Sequence, residues 1–217
     1  MVRNKAVLIV SAVIFSVCMC LYFPFPNNQT IDAREIFMSF PIRNQDGYLP
    51  LGIVGSLLFL IALILLIVGM KKYHFRTIVI VMIVYSLLPI FLISIYQETL
   101  ASGISADSYD GNGTCNFESL KDDVLNGECE LVLHNRSNEE ISFKLEFLDS
   151  YHFEDDLRME SLMNVNGPHM ITIGANQKET LQMKEYLELY DVPNHIQSGS
   201  SNYINIKLID GESSRIL

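Results

Sequence analysis

Three long apolar runs without a charged residue constrain this chain more than any other feature. They cover residues 6–23, 51–70 and 77–96. An α-helix rises about 1.5 Å per residue, so each run approaches the roughly 30 Å thickness of a membrane's hydrocarbon core. We therefore predict a three-span transmembrane region over residues 1–96, with an outer loop at 25–50 and an inner loop at 71–76.

The first apolar run has an alternative interpretation as a cleaved signal peptide, because basic residues precede it. The sequence that follows, LYFPFPNNQT, contains no small-x-small cleavage site. No small residue stands directly before Cys18 or Cys20, as a lipidation signal would require. We interpret this run as a membrane span.

Five of the seven basic residues in 1–96 lie before the first span or in the loop between the second and third spans. Cytoplasmic loops of membrane proteins carry the excess of Lys and Arg. With three spans, the N-terminus and the 71–76 loop must face the same compartment. We predict that both are cytoplasmic and that five residues anchor this topology: Arg3, Lys5, Lys71, Lys72 and Arg76.

The charge of the chain changes sign after the third run. Residues 97–217 contain 22 Asp and Glu against 8 Lys and Arg, whereas residues 1–96 contain 3 against 7. Nucleic acid and anionic lipid would repel so acidic a surface, which argues against DNA or RNA binding. The topology places this half outside the cytoplasm, so the protein is predicted to lie in the cell membrane as a multi-pass protein.

The outer half divides into a spacer and a domain. Residues 97–114 are rich in Gly, Ser, Asp and Asn, which is typical of a flexible linker. Residues 115–217 alternate apolar and polar side chains in several short segments, which predicts β-strands. These segments are 128–135, 141–147, 169–173, 180–184 and 203–209, with a last one at 215–217. The segment 181–190 also permits a helix.

The turn signals between these segments indicate the fold. The polar residues 136–140 suit a hairpin turn between two strands, and GANQKE at 174–179 turns the chain again. The pattern around GANQKE resembles that of small immunoglobulin-like domains on bacterial envelope proteins. We predict an all-β, immunoglobulin-like antiparallel sandwich over 115–217.

The cysteines form two pairs with different meanings. Cys115 and Cys129 lie in the outer region, where an oxidising environment favours a disulfide. We predict that they are bonded to each other. Cys18 and Cys20 lie two apart within the first span and are interpreted as small apolar residues, with acylation or a contact between protomers as alternatives.

One acidic cluster is a candidate cation site. His152, Glu154, Asp155 and Asp156 are nearly consecutive, and such ligands suit Ca²⁺, Zn²⁺ or Mn²⁺. The run lacks the glycine that a Ca²⁺ loop usually needs, so a solvated loop is the competing interpretation. No other cofactor is indicated. Three positions match N-x-[ST] and would be glycosylated only in a secretory eukaryotic host: Asn28, Asn112 and Asn135.

Signatures of catalysis and of ion transport are missing. The sequence has no G-x-S-x-G, no H-E-x-x-H and no glycine-rich phosphate loop. The three apolar runs contain no ionisable Asp, Glu, Lys, Arg or His for an ion pathway. We expect a membrane-anchored module that binds another envelope protein, with a cation- or pH-responsive regulator as the alternative.

The outer loop contains one more candidate element. Ile36, Phe37 and Phe40 fit the apolar side of a short helix lying on the outer leaflet. An irregular link packed on the outer domain is the alternative.

Overall fold

The structure is a computed structural model that describes residues 2–27, 33–44, 47–121, 123–149 and 157–217. The chain divides into two compact units, Met1–Ser94 and Ile95–Leu217. We call them the helical unit and the β unit.

The three apolar runs form helices, as the sequence predicts. They are α1 (Lys5–Leu21), α2 (Pro50–Gly69) and α3 (His74–Thr99). Within the described residues, α2 and α3 are long and apolar enough to cross a membrane, and α1 is a shorter apolar helix. The side chain of Asn4 caps α1 by accepting from the Ala6 and Val7 N–H groups, and proline opens α2, where its missing N–H costs nothing.

A β-hairpin replaces the short helix that we predicted in the 25–50 loop. Its strands are β1 (Glu35–Phe37) and β2 (Phe40–Arg43), with Met38 at a positive φ of 56° in the turn. The prediction was wrong because apolar residues at positions 36, 37 and 40 fit a helical face and a tight hairpin equally well. The alternative of an irregular link is also wrong, because β1 and β2 are paired strands, and the hairpin belongs to the helical unit.

The hairpin packs into a seat on α2 that is made by two glycines. A Cβ atom at Gly52 would lie 1.7 Å from the Pro41 carbonyl oxygen, and one at Gly55 would lie 2.5 Å from the Phe40 ring. Phe40 and Phe59 are fully buried and meet at a ring distance of 6.3 Å. The small residues of α2 thus admit a hairpin, and this close contact depends on the absence of side chains.

The described residues of the β unit form nine strands. They are β3 (Asp107–Tyr109), β4 (Thr114–Lys121), β5 (Val124–Asn135), β6 (Ile141–Leu148), β7 (His169–Ile173), β8 (Lys178–Glu188), β9 (Gly199–Asn202), β10 (Asn205–Asp210) and β11 (Ser213–Ile216). The segment 181–190, which permitted a helix, lies largely in β8.

The described strands pair into two antiparallel sheets. In the first sheet, β8 pairs with one edge of β5 along the length of that strand. β4 and β3 therefore pair with the other edge of β5, β4 with its first part and β3 with its end. β9 pairs with β4. The second sheet has the order β11-β10-β6-β7. The inner faces of both sheets contribute to one hydrophobic core, which is the arrangement that buries one side of each sheet.

The alternation in the sequence correctly predicts which side chains enter this core. Phe143, Leu145 and Phe147 of β6 are 1% exposed or less. Ile206 and Leu208 of β10 are fully buried as well. The intervening residues of both strands face outward, as the two-residue period of a strand requires.

The hairpin that we predicted between the segments 128–135 and 141–147 is wrong. β5 belongs to the first sheet and β6 to the second, so residues 136–140 cross between the sheets. Residues 174–177 also cross, from β7 to β8. Turn residues report a local reversal of the chain, but they carry no information about which strand the chain pairs with next.

Most of the predicted 97–114 linker has regular structure within the β unit. Helix α3 continues to Thr99, a 3₁₀ turn covers Gly103–Ser105, and β3 follows. Ile104 is 6% exposed, and Ala106 and Asp107 are fully buried. The sequence suggested a flexible spacer because this segment is polar and its few apolar residues show no strand or helix periodicity.

The predicted disulfide between Cys115 and Cys129 is present. The two residues lie directly opposite each other on β4 and β5, and both side chains face the core. Their separation in sequence is 14 residues, and closing a loop of this size stabilises a fold by about 3 kcal/mol.

We expect reduction of this disulfide to lower the free energy of unfolding of the β unit. The physical reason is that reduction frees the unfolded chain and increases its entropy. The measurement compares hydrogen exchange of β5 amides in the full-length protein with and without a membrane-permeable reductant. The Cys115→Ala/Cys129→Ala variant should match the reduced protein and should not respond to the reductant.

Candidate functional site at the start of the β unit

The predicted topology anchors collect at one end of the helical unit. The Arg3 and Asn4 N–H groups donate to the Gly69 carbonyl oxygen, at 2.8 and 3.1 Å. This contact brings Arg3 and Lys5 beside the turn that carries Lys71 and Lys72. All of these basic side chains are exposed.

The predicted cation site lies outside the described residues. The structure does not describe His152, Glu154, Asp155 or Asp156. Asn28 of the first glycosylation motif also lies outside the described residues. Elsewhere, in the part of the chain that the structure describes, no three His, Cys, Asp or Glu side chains group as metal ligands.

The Asn135 side chain is fully committed to the fold. Its Nδ2 donates to the carbonyl oxygens of Glu139, Ile173 and Gly174, at 2.7, 3.2 and 3.0 Å. Its Oδ1 accepts from the N–H and the hydroxyl of Ser137. The motif at 135–137 is therefore a structural turn that joins the two crossover connections, and the folded unit offers no free amide there for glycosylation.

A buried polar cluster at the start of the β unit is the chemically most distinctive feature among the described residues. Its centre is Asp107, which is fully buried on β3. Arg215 approaches from β11 and is 4% exposed, and Gln97 approaches from the last turn of α3 and is 3% exposed. Polar side chains are rarely so deeply buried unless they are paired.

The hydrogen bonds of this cluster converge on one short piece of backbone. The Arg215 Nη1 donates to the carbonyl oxygens of Ile104 and Ser105, at 3.0 and 3.2 Å, and to that of Asp107. The Gln97 Nε2 donates to the Ser105 and Asp107 carbonyl oxygens, at 3.3 and 2.7 Å. These bonds fix the 3₁₀ turn and β3 against the second sheet.

The Asp107 carboxyl is only half satisfied. Its Oδ1 accepts from the Ser108 N–H at 3.0 Å, while its Oδ2 is buried without a hydrogen-bond partner. Burial raises the pKa of Asp107 to about 7, against the opposing effects of the Ser108 N–H and the Arg215 charge. Burial also lowers the pKa of Arg215 to about 10, so this guanidinium stays charged at neutral pH.

The rim of the cluster carries a second set of charged groups. The Arg136 Nε donates to the Ser108 hydroxyl at 3.0 Å, and its Nη1 pairs with the Glu98 carboxylate at 2.8 Å. Burial lowers the pKa of His134 on the neighbouring strand, and the charges of Arg136 and Lys178 lower it further. Titratable groups of both signs thus surround β3.

Sequence reasoning missed this cluster. Asp107 stands in a polar stretch where an acidic residue has no special meaning, and Gln97 follows the third run as an ordinary polar flank. The one available signal was Arg215, which occupies the inward position of β11, opposite Leu208. A basic residue at a core position predicts a buried partner, although it does not name that partner.

No protein-family model, curated protein or solved structure significantly matches the chain.

Proposed function

We propose that the protein is a membrane-anchored binding module. In this proposal α1, α2 and α3 cross the membrane, the N-terminus is cytoplasmic, and the β unit lies on the other side, where it binds another envelope protein. The observation that carries it is the charge asymmetry: exposed cations gather at one end of the helical unit, while the residues after 96 are strongly acidic and hold a disulfide.

The strand order of the β unit supports an immunoglobulin-like assignment. If β4, β5, β6, β7, β8, β10 and β11 are taken as strands A, B, C, C′, E, F and G, the first sheet contains A-B-E with β3 and β9 as additional strands, and the second reads G-F-C-C′. This distribution of strands between two sheets is typical of immunoglobulin-type domains. The disulfide differs, because it joins neighbouring strands within one sheet.

The outer face of the first sheet is the surface that suits a partner. Glu118, Glu128 and Glu130 all project from this face, on β4 and β5, and Lys184 of β8 pairs with Glu128. Tyr186 of β8 is 63% exposed on the same face. Carboxylates beside an exposed tyrosine suit a basic, polar protein surface, because tyrosine contributes large contact area at low entropic cost.

Topology mapping tests the membrane part of the proposal. A reporter inserted after Arg76 should be cytoplasmic, and one attached after Leu217 should lie on the opposite side. A cytoplasmic Leu217 reporter would overturn the proposed orientation.

Site-specific photocrosslinking in native membranes tests the binding part. A photoreactive residue at Glu130 should capture a discrete partner, and the same residue at Lys144, on the outer face of the second sheet, should not. Equal capture at both positions would contradict a specific surface on the first sheet, and no capture at either would remove the binding proposal.

A second candidate function, a pH-responsive regulator, is favoured by the buried Asp107. Arg215 from β11, Arg136 from the β5–β6 connection and Glu98 from the end of α3 are the charged groups around it, with His134 on the adjoining strand. Ionisation of the half-satisfied carboxyl near neutral pH would weaken the packing of β3. Partner capture at pH 6 and at pH 8 tests this, since the Asp107→Asn variant should lose any difference that the native protein shows.

A further inference from the structure

The helical unit contains a cavity of about 330 Å³ between α1, the hairpin and α3. Met19 comes from α1 and Tyr22 directly follows that helix, Met38 and Ser39 come from the hairpin turn, and Tyr85 and Pro89 come from α3. A cavity of this size is in the range of small-molecule sites, which begin at about 300 Å³.

Three of the four side-chain hydroxyls of the cavity wall, those of Ser39, Tyr85 and Ser86, are hydrogen-bonded within the unit, and the fourth belongs to Tyr22. The hydroxyls of Ser39 and Tyr85 bond to each other at 3.4 Å. The Ser86 hydroxyl donates to the Met82 carbonyl oxygen of its own helix at 3.0 Å. The remaining wall is mostly methionine, proline and aromatic surface, and a cavity with a largely apolar wall holds water poorly.

The cavity opens sideways along α3. Ser86 and Ile90 lie on its wall and are exposed at the surface of the helical unit. The α3 surface beside this opening is apolar, since Leu87 is 58% and Phe91 62% exposed. In the proposed membrane orientation, the medium outside the opening is hydrocarbon.

The shape of the cavity is maintained by contacts on its inner side. Tyr85 packs edge-on against Phe59 at a ring distance of 4.8 Å and is 5% exposed. Phe59 in turn contacts Phe15 at 5.3 Å and Phe40 at 6.3 Å. Tyr85 also lies 6.3 Å from Phe15 of α1, so this aromatic cluster joins α3 to the other two helices on the inner side of the cavity.

We propose that this cavity binds one acyl chain of a membrane lipid, which enters through the opening at Ser86 and Ile90. The inference rests on the proposed membrane insertion of the helical unit. A hydrocarbon chain fits because the cavity wall is largely apolar and most of its hydroxyls are already hydrogen-bonded within the unit. The occupant completes the packing between α3 and the hairpin, for which the chain itself supplies too few side chains.

Photolabelling with a lipid tests the proposal. The full-length protein is placed in phosphatidylethanolamine and phosphatidylglycerol vesicles that contain a trace of phosphatidylethanolamine with a diazirine in one acyl chain. After illumination, labelled peptides are located by mass spectrometry. We expect labels to concentrate on Met19, Met38 and their neighbours.

Two α3 variants provide the comparison. Ser86→Phe puts a ring into the opening and should reduce labelling of the cavity peptides to the level of the α2 surface. Ile83→Phe enlarges an exposed residue of the same helix outside the cavity, and it should leave this labelling unchanged. Disulfide formation in both variants shows that the β unit has folded.

Each other outcome has a definite meaning. Uniform labelling along all exposed helix surfaces, unchanged by Ser86→Phe, would overturn the lipid site but leave the membrane proposal intact. Absence of any label in the helical unit would contradict membrane insertion itself. A crosslink from the cavity to a second copy of the chain would show that a protein segment fills it, which also overturns the proposal.

Discussion

At pH 8 we expect the Asp107→Asn variant to be more stable than the native protein, whereas at pH 3, where the carboxyl is protonated in both the folded and the unfolded chain, the two should be nearly equal. The substitution keeps the shape of the side chain and leaves an amide oxygen to accept from the Ser108 N–H. It removes the negative charge that the buried site would otherwise have to hold above neutral pH.

The sign and size of this effect follow from the raised pKa of Asp107. The pKa of the carboxyl is 3.8 in the unfolded chain and about 7 in the folded protein. Between these values the folded state holds more protons, so the free energy of unfolding falls as pH rises towards 7 and then levels off. Each pKa unit corresponds to about 1.4 kcal/mol, so burial of the charge costs the native protein about 4 kcal/mol.

Hydrogen exchange of β5 amides in the detergent-solubilised, full-length protein measures this free energy at each pH. Asp110→Asn is the matched control, because Asp110 lies three residues away and is exposed, so it should change stability at neither pH. A lower stability of Asp107→Asn at pH 8 would contradict the raised pKa and would mean that Arg215 stabilises the ionised carboxylate.

Local patterns in the sequence predict most of the elements of this protein. Charge-free runs of 18 to 20 residues become α1, α2 and α3, and a two-residue apolar period becomes β6 and β10. Two cysteines on one side of the predicted membrane become a disulfide. In each case the property that identifies the element lies within it, as hydrophobic length or as side-chain period.

The features that the sequence did not predict all depend on contacts between distant residues. Along one edge, β5 pairs with β8, more than forty residues later. The sequence of residues 136–140 is compatible both with a hairpin turn and with a crossing between sheets. Asp107 becomes unusual only because Arg215 and Gln97 surround it. The seat of the hairpin requires glycines in α2 to face a loop whose own sequence suggested a helix.

The Gly52→Ala variant should destabilise the helical unit, although helix propensity alone predicts the opposite. Alanine in place of glycine favours a helix by about 1 kcal/mol. The added methyl group would lie 1.7 Å from the Pro41 carbonyl oxygen, which is backbone and cannot rotate away, so the hairpin must leave its seat. Overpacking of this kind typically costs about 1–3 kcal/mol, and here the buried Phe40 is displaced as well.

Limited trypsin digestion of the full-length protein in vesicles reads out this displacement. In the native protein, Phe40 and Pro41 are buried and Arg43 ends the same strand. A strand held against α2 cannot enter the protease active site, so the native protein should be cleaved slowly after Arg43. Gly52→Ala should accelerate cleavage after Arg43. Gly55→Ala should accelerate it less, because its added methyl group would collide with the Phe40 ring, and a side chain can shift where backbone cannot. Ser56→Ala removes only a hydroxyl bonded to the Gly52 carbonyl oxygen within the same helix, and it should cleave like the native protein. Equal cleavage of Gly52→Ala and Ser56→Ala would mean that the hairpin does not pack on α2. Phe40 would then not belong to the aromatic cluster beside the proposed lipid cavity.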